Sequence, residues 1–164
     1  MKIFSSLLCA LSLILLSGCL EKKSEESELT PNFDISEAYS FATMPGANTG
    51  AAFMVIENTG DVDDILIGAK SRIAKITEIH QNIIDPDDST MMMRKIKNLD
   101  LPAGEKIILE PKGYHLMFIE LKKPLTLDAK IPVTLFFEKS GMKKINVKVM
   151  PPGMPSDHNH NHNH

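Results

Sequence analysis

From residue 51 onward, short apolar runs alternate with turn-forming residues. Ala51-Ala52-Phe53-Met54-Val55-Ile56 leads into Asn58-Thr59-Gly60-Asp61, and Asp64-Ile65-Leu66-Ile67-Gly68-Ala69 follows. Runs of this length bounded by Asn, Gly and Asp predict strands joined by tight turns. Further strands are expected over residues 74–80, 91–96, 106–109, 115–121, 131–137 and 143–149, and Ile83-Ile84 runs into the acidic turn Asp85-Pro86-Asp87-Asp88-Ser89. Pro102, Gly104, Pro111, Gly113, Pro124, Pro132 and Gly141 punctuate the series. One strand is uneven: Ile76 and Ile79 do not share a period of two. No segment sustains a helical period, so the pattern predicts an all-β chain folded as an antiparallel sandwich or barrel.

The two ends follow other patterns. Residues 1–18 combine the basic start Met1-Lys2-Ile3-Phe4 with an apolar run over 7–16. This describes an export signal, too short for a membrane span of roughly 20 residues. Its ending, Leu16-Ser17-Gly18-Cys19, resembles a bacterial lipobox, in which the Cys becomes the lipidated first residue of the mature chain. The alternative is an ordinary signal peptide with a Cys near its end. Residues 19–32 are charged and Ser-rich, the composition of a flexible tether that would hold a domain off a membrane. Residues 151–164 end in His158-Asn159-His160-Asn161-His162-Asn163-His164. Such a tail cannot bury a core; it is either a purification tag or a native imidazole cluster suited to Cu(II), Ni(II) or Zn(II), and the intact leader favours the second.

Between them, residues 33–150 are the size of one domain. A formal charge of -3, without a basic stripe, argues against nucleic acid as a partner. The groups Asp61, Asp63, Asp64 and Asp85, Asp87, Asp88 lack the glycine and terminal glutamate of a calcium loop and read as solvated turns. Of the two cysteines, Cys9 would leave with the leader and Cys19 would carry lipid, so no thiol remains for a disulfide or a metal.

That absence sharpens the reading of the histidines. The body of the chain has only His80 and His115, the other four of the six lying in the tail. His115 and Met117 stand two apart on an expected strand, so they share a face about 7 Å apart along it. Met91 and Met93 have the same relation, with Met92 on the opposite face and expected, like Met54, in the core. His80, His115, Met117 and either Met93 or Met91 make a soft, uncharged donor set, which points to Cu(I). Imidazoles and thioethers also tolerate the oxidising environment of an exported protein better than a thiolate would. No Ser/His/Asp or Cys/His set is available, so an enzyme is the weakest reading.

Residues 80–125 resemble the PCu(A)C family of periplasmic copper chaperones. Twenty-one residues separate Met93 from His115-Leu116-Met117, the family's interval, whereas the twelve between His80 and Met93 exceed its usual spacing. Counting from His80 by the family's interval selects Met91; counting back from His115 selects Met93, which also precedes Arg94 as in the family's Met-x-Met-Arg segment. The surplus fits the polar loop at 85–89. Thr43-Met44-Pro45-Gly46-Ala47, Gly50-Ala51-Ala52-Phe53-Met54, Leu101-Pro102-Ala103-Gly104 and Glu110-Pro111-Lys112-Gly113-Tyr114-His115-Leu116-Met117 extend the likeness, and Tyr39 stands where an aromatic is usual. The resemblance implies a cupredoxin-like Greek-key β-sandwich with Cu(I) held by His80, Met93, His115 and Met117, Met91 being the reserve ligand. It also implies delivery on the periplasmic side to the copper centre of a cytochrome oxidase subunit or to another copper chaperone. The competing reading is a copper-buffering or resistance lipoprotein with no dedicated acceptor.

Overall fold

The computed structural model of the chain describes residues 31–85, 87 and 89–153. The leader, Cys19, the segment up to residue 30 and the tail imidazoles His158, His160, His162 and His164 lie outside the described residues. Ten strands follow in chain order: β1 (Phe33–Phe41), β2 (Thr49–Asn58), β3 (Asp64–Ser71), β4 (Ala74–Ile84), β5 (Met91–Ile96), β6 (Leu99–Leu101), β7 (Lys106–Leu109), β8 (Tyr114–Leu121), β9 (Lys130–Phe137) and β10 (Gly141–Met150).

The strands join in one hydrogen-bonded order, β5-β4-β8-β7-β2-β1-β10-β9-β3-β6, with β8 also pairing with β2. The sheet doubles over on itself, so that inward residues from both layers meet in one core. That core includes Ala52, Met54 and Ile56 of β2, Leu116 and Phe118 of β8, Ile131, Val133, Leu135 and Phe137 of β9, and Val147 and Val149 of β10. The architecture is a cupredoxin-like β-sandwich. Most pairings are antiparallel as the sequence implies, but β1 with β10 and β7 with β8 run parallel.

Alternation explains most of these elements. In β9 every second residue from Ile131 to Phe137 is buried, the period of a strand with one face on a core. In β2, by contrast, Phe53 and Val55 are buried together with Ala52, Met54 and Ile56; a central strand covered on both faces reads as a continuous apolar run. Two strands escaped the sequence pattern. β1 is interrupted by a register shift between Ser36 and Tyr39, with Glu37 at φ 51°, and a bulge of this kind breaks the period of two. β6 is only three residues long.

Two buried polar residues fasten the turns. The Asn58 side chain donates to the carbonyls of Val62 and Leu101, both at 2.9 Å, and accepts from the Gly60 N–H at 3.1 Å. Asp64, expected on a solvated turn, is instead 1% exposed. Its carboxylate accepts from the N–H groups of Ile65 (2.7 Å), Lys139 (2.9 Å) and Ser140 (2.9 Å) and from the Ser140 hydroxyl (2.5 Å). Burial alone would raise its pKa, but these donors together hold it below the ordinary value. Asp64 therefore ties the start of β3 to the turn between β9 and β10.

Candidate metal centre

β4 and β8 are antiparallel neighbours whose register places His80 opposite His115 and Glu78 opposite Met117. Residues paired directly across a ladder project from the same face, and alternate residues along each strand join them there. His80, His115, Glu78 and Met117 thus share one side of the sheet. The other side of the same strands is core, with Ile79, Leu116 and Phe118 buried. The uneven isoleucines of β4 are explained too: Ile79 faces the core and Ile76 the opposite side, where it is exposed.

β5 supplies the third strand of this face. Its ladder with β4 is unbroken from Ile79↔Ile96 to Ile84↔Met91 and pairs Met93 with Asn82. Met93 and Met91 consequently share the face of His80, while Met92 takes the other. Met93 is a diagonal cross-strand neighbour of His80, where long side chains meet. Met91 lies one further step of about 7 Å along the strand. Because the ladder has no bulge, the extra length between His80 and Met93 falls in the loop. There the Asp85 N–H donates to the Thr90 carbonyl (2.8 Å) and the Ser89 N–H to the Asp85 carbonyl (2.9 Å).

The two imidazole rings lie 5.8 Å apart between centroids, inclined by 54°. His115 is only 2% exposed. The ring of Phe53, 6.3 Å from that of His115 between centroids, belongs to an aromatic group with Tyr39 and Phe41. Its Nδ1 lies 3.2 Å from the Gly113 carbonyl, a bond that only a protonated nitrogen can make, so Nε2 retains its lone pair. Burial lowers the His115 pKa, the Gly113 carbonyl opposing in part and His80 adding to the fall. The neutral imidazole, the form that binds metal, is favoured.

His80 has a different surrounding. Its side chain is 13% exposed, with Nε2 2.9 Å from Glu78 Oε2, and its buried Nδ1 has no hydrogen-bond partner. The second carboxylate oxygen of Glu78 accepts from Lys95 Nζ at 2.7 Å. The bond with His80 and then that with Lys95 lower the Glu78 pKa against the effect of its burial. Asn82 fastens the neighbouring turn to β4, its side chain donating to the Pro111 carbonyl (2.6 Å) and its N–H to the Gly113 carbonyl (3.1 Å). Among the described residues no group of three or more His, Cys, Asp or Glu converges. The imidazole pair is left with thioethers as its neighbouring soft donors.

The candidate donors differ in access. They lie on three adjacent strands: His115 is buried, the His80 side chain is 13% exposed and Met93 is 52% exposed. Met92, expected in the core, is 38% exposed, because β5 is the edge strand and none of the described residues buries its second face. Glu78 and Lys95 escaped the sequence reading, although the two-residue offset of Glu78 from His80 places them on one face.

A model of the family described as "Putative lipoprotein LpqE-like" matches residues 33–149, from the start of β1 almost to the end of β10. The chain belongs to this family. A curated relative, "Putative lipoprotein Lxx21020" of Leifsonia xyli subsp. xyli, is 35% identical over 104 residues, which are 63% of this chain and 62% of the relative. The chain thus spans about three fifths of that relative's length. Among solved structures, the copper-bound PCuAC domain of PmoF2 superposes with a TM-score of 0.62 at 23% identity, over 73% of this chain and 93% of that one. The Cu(I) form of DR1885 from Deinococcus radiodurans gives 0.59 at 22% identity, over 80% and 86%. At these identities the likeness establishes that the LpqE-like chain has the fold of the PCuAC domains.

Proposed function

We propose that this protein is an exported copper carrier that holds one Cu(I) ion on the outer face of β4, β5 and β8 and passes it to an acceptor. His80, His115 and Met117 are the inner ligands and Met93 the outer one, with Met91 beyond it. The observation that carries this reading is the facing pair of imidazoles, His115 buried and His80 partly so, set on the same sheet face as the thioethers of Met93 and Met117. Cu(I) has a filled d shell and tolerates an irregular three- or four-coordinate set of this kind, and thioethers favour it over Zn(II) and Cu(II). Copper in the structures of PmoF2 and DR1885 supports the same assignment. The site has no thiolate, so it should lack the intense absorption of a blue-copper centre.

The exposed edge position of Met93 suits transfer, since an incoming donor can displace this thioether while the imidazoles still hold the ion. The acceptor would be the copper centre of a cytochrome oxidase or another copper chaperone. The chain's role is carriage rather than catalysis. The family and the relative from Leifsonia xyli are described as lipoproteins, which supports Cys19 as the lipid anchor and 19–32 as the tether. The tail imidazoles His158, His160, His162 and His164 form a second site that captures Cu(II). An extended chain from Met150 to His158 reaches about 28 Å, enough to cross a domain of this size. Deleting residues 157–164 should abolish Cu(II) binding and spare Cu(I) binding; loss of both would sink the idea of two sites.

The experiment for the main site is a Cu(I) titration against a chromogenic chelator, with the wild-type chain and with His115→Ala and Met117→Ala. Both variants should bind Cu(I) more weakly. Unchanged affinity and stoichiometry in both would defeat the assignment.

A further inference from the structure

The polar atoms around His80 do not match those around His115, and the mismatch assigns different nitrogens to the metal. In His115, Nδ1 faces the Gly113 carbonyl at 3.2 Å, so Nε2 is the nitrogen left to bind. In His80 the arrangement is reversed. Nε2 lies 2.9 Å from Glu78 Oε2, an ionised acceptor that must receive a proton, while Nδ1 is buried without a partner. A nitrogen whose lone pair is withdrawn from water and met by no donor is poised for a cation.

We propose that Glu78 is a positioning residue for copper: by accepting the Nε2–H of His80 it fixes the tautomer and ring orientation in which Nδ1 is the metal-binding atom. The inference rests on the Cu(I) reading above and extends it to a residue outside the ligand set. Glu78 is itself held from the other side by Lys95, whose Nζ lies 2.7 Å from Oε1. Both partners belong to the sheet: Glu78 is two residues from His80 on β4, and Lys95 is the cross-strand partner of His80 on β5. The carboxylate is thereby fixed between its two donors before any metal arrives. A carboxylate that accepts the distal N–H of a ligating imidazole also raises the basicity of the metal-bound nitrogen, and loss of such a partner typically weakens a site by about 10–100-fold. Two imidazoles binding through unlike nitrogens would present the ion with an asymmetric pair, leaving its open side to the thioethers.

The test is a long-range 1H–15N correlation spectrum of the 15N-labelled wild-type chain with and without one equivalent of Cu(I), together with Cu(I) competition titrations of Glu78→Ala, Glu78→Gln and His80→Ala. The expected spectrum has a protonated Nε2 and a copper-shifted Nδ1 in His80, and a protonated Nδ1 and copper-shifted Nε2 in His115. Glu78→Ala should weaken Cu(I) binding by about 10–100-fold. Glu78→Gln, whose amide oxygen can still accept the Nε2–H, should recover most of that loss. Copper on Nε2 of His80, or full affinity in Glu78→Ala, overturns the proposal. Unaltered Cu(I) binding in His80→Ala would instead overturn the copper site itself, so the two failures are distinct. The wild-type spectrum decides the matter even where a variant folds poorly.

Discussion

Two polar clusters of this domain are completed to different degrees. At the β9–β10 turn, Asp64 receives four hydrogen bonds, three from backbone N–H groups and one from Ser140. At the β4–β5 ladder, Glu78, itself held by Lys95, binds His80 through Nε2, yet Nδ1 is left without a partner. A cluster closed on itself contributes to stability, because removing its acceptor strands several donors at once. One that keeps a buried lone pair unmet forgoes part of that stability and retains an affinity for something from outside. The first cluster reads as an anchor and the second as a receptor.

The widest separation between them should come from removing the central residue of each. His80→Ala is expected to lower Cu(I) affinity by more than about 100-fold, beyond the range seen when only a supporting residue is lost. It should cost the metal-free chain only about 1 kcal/mol, since Glu78 Oε2 loses its donor while Oε1 keeps Lys95. Asp64→Ala should do the reverse: a loss of about 3 kcal/mol in urea denaturation, from stranded donors at Ile65, Lys139 and Ser140, with Cu(I) affinity of the folded chain intact. If the two substitutions affected copper and stability alike, the distinction between anchor and receptor would collapse.

A finer contrast lies within β5. Met93→Leu keeps the volume and removes the sulfur, and should weaken Cu(I) binding about tenfold, equivalent to ~1.4 kcal/mol. Met91→Leu, one step farther from the imidazoles, should change it by less than about twofold. Equal losses in the same chelator titration would mean that both thioethers serve the ion in turn.

The smallest effect is in the pH dependence of the metal-free chain. His115 has its pKa lowered from 6.5 by burial, so just below that value the unfolded chain binds more protons than the folded one. Its contribution is therefore fully present above pH 6.5 and is lost as pH falls towards the lowered folded value. Asp64, lowered from 3.8 by its donors after they outweigh its burial, contributes above that value and loses its share only at more acidic pH. Glu78, lowered from 4.5 chiefly by its bond with His80, adds to the acidic loss, so denaturation midpoints should show an upper decline from His115 and a lower one from the two carboxylates. His115→Phe should remove the upper one and leave the lower; a single decline unchanged by that substitution would contradict the assignment.

The legibility of this molecule in its sequence follows the same physical lines. Strands with regular alternation, such as β9, or with a continuous apolar run, such as β2, stand out, and the shared face of His115 and Met117 follows from their spacing alone. What the sequence hides depends on pairing between distant segments. Nothing in the local pattern sets His80 opposite His115, because the β4–β8 register is fixed by the folding of the whole sheet. β1 is obscured by the bulge around Glu37, and the exposure of Met92 follows from β5 being an edge strand, a property of strand order. Asp64 looks like any turn aspartate until the Lys139–Ser140 turn, seventy-five residues away, closes over it. The partnership of Glu78 with His80 was nearer to hand, since two residues separate them on one strand, but its meaning needs the orphaned Nδ1.

Whether imidazoles and thioethers on this one sheet face hold Cu(I) is decided by copper K-edge X-ray absorption on the Cu(I)-loaded chain lacking residues 157–164. Both nitrogen and sulfur neighbours are expected around the copper, with the sulfur contribution reduced in Met117→Leu. A shell of nitrogen and oxygen alone, or a sulfur shell untouched by that substitution, would contradict this site.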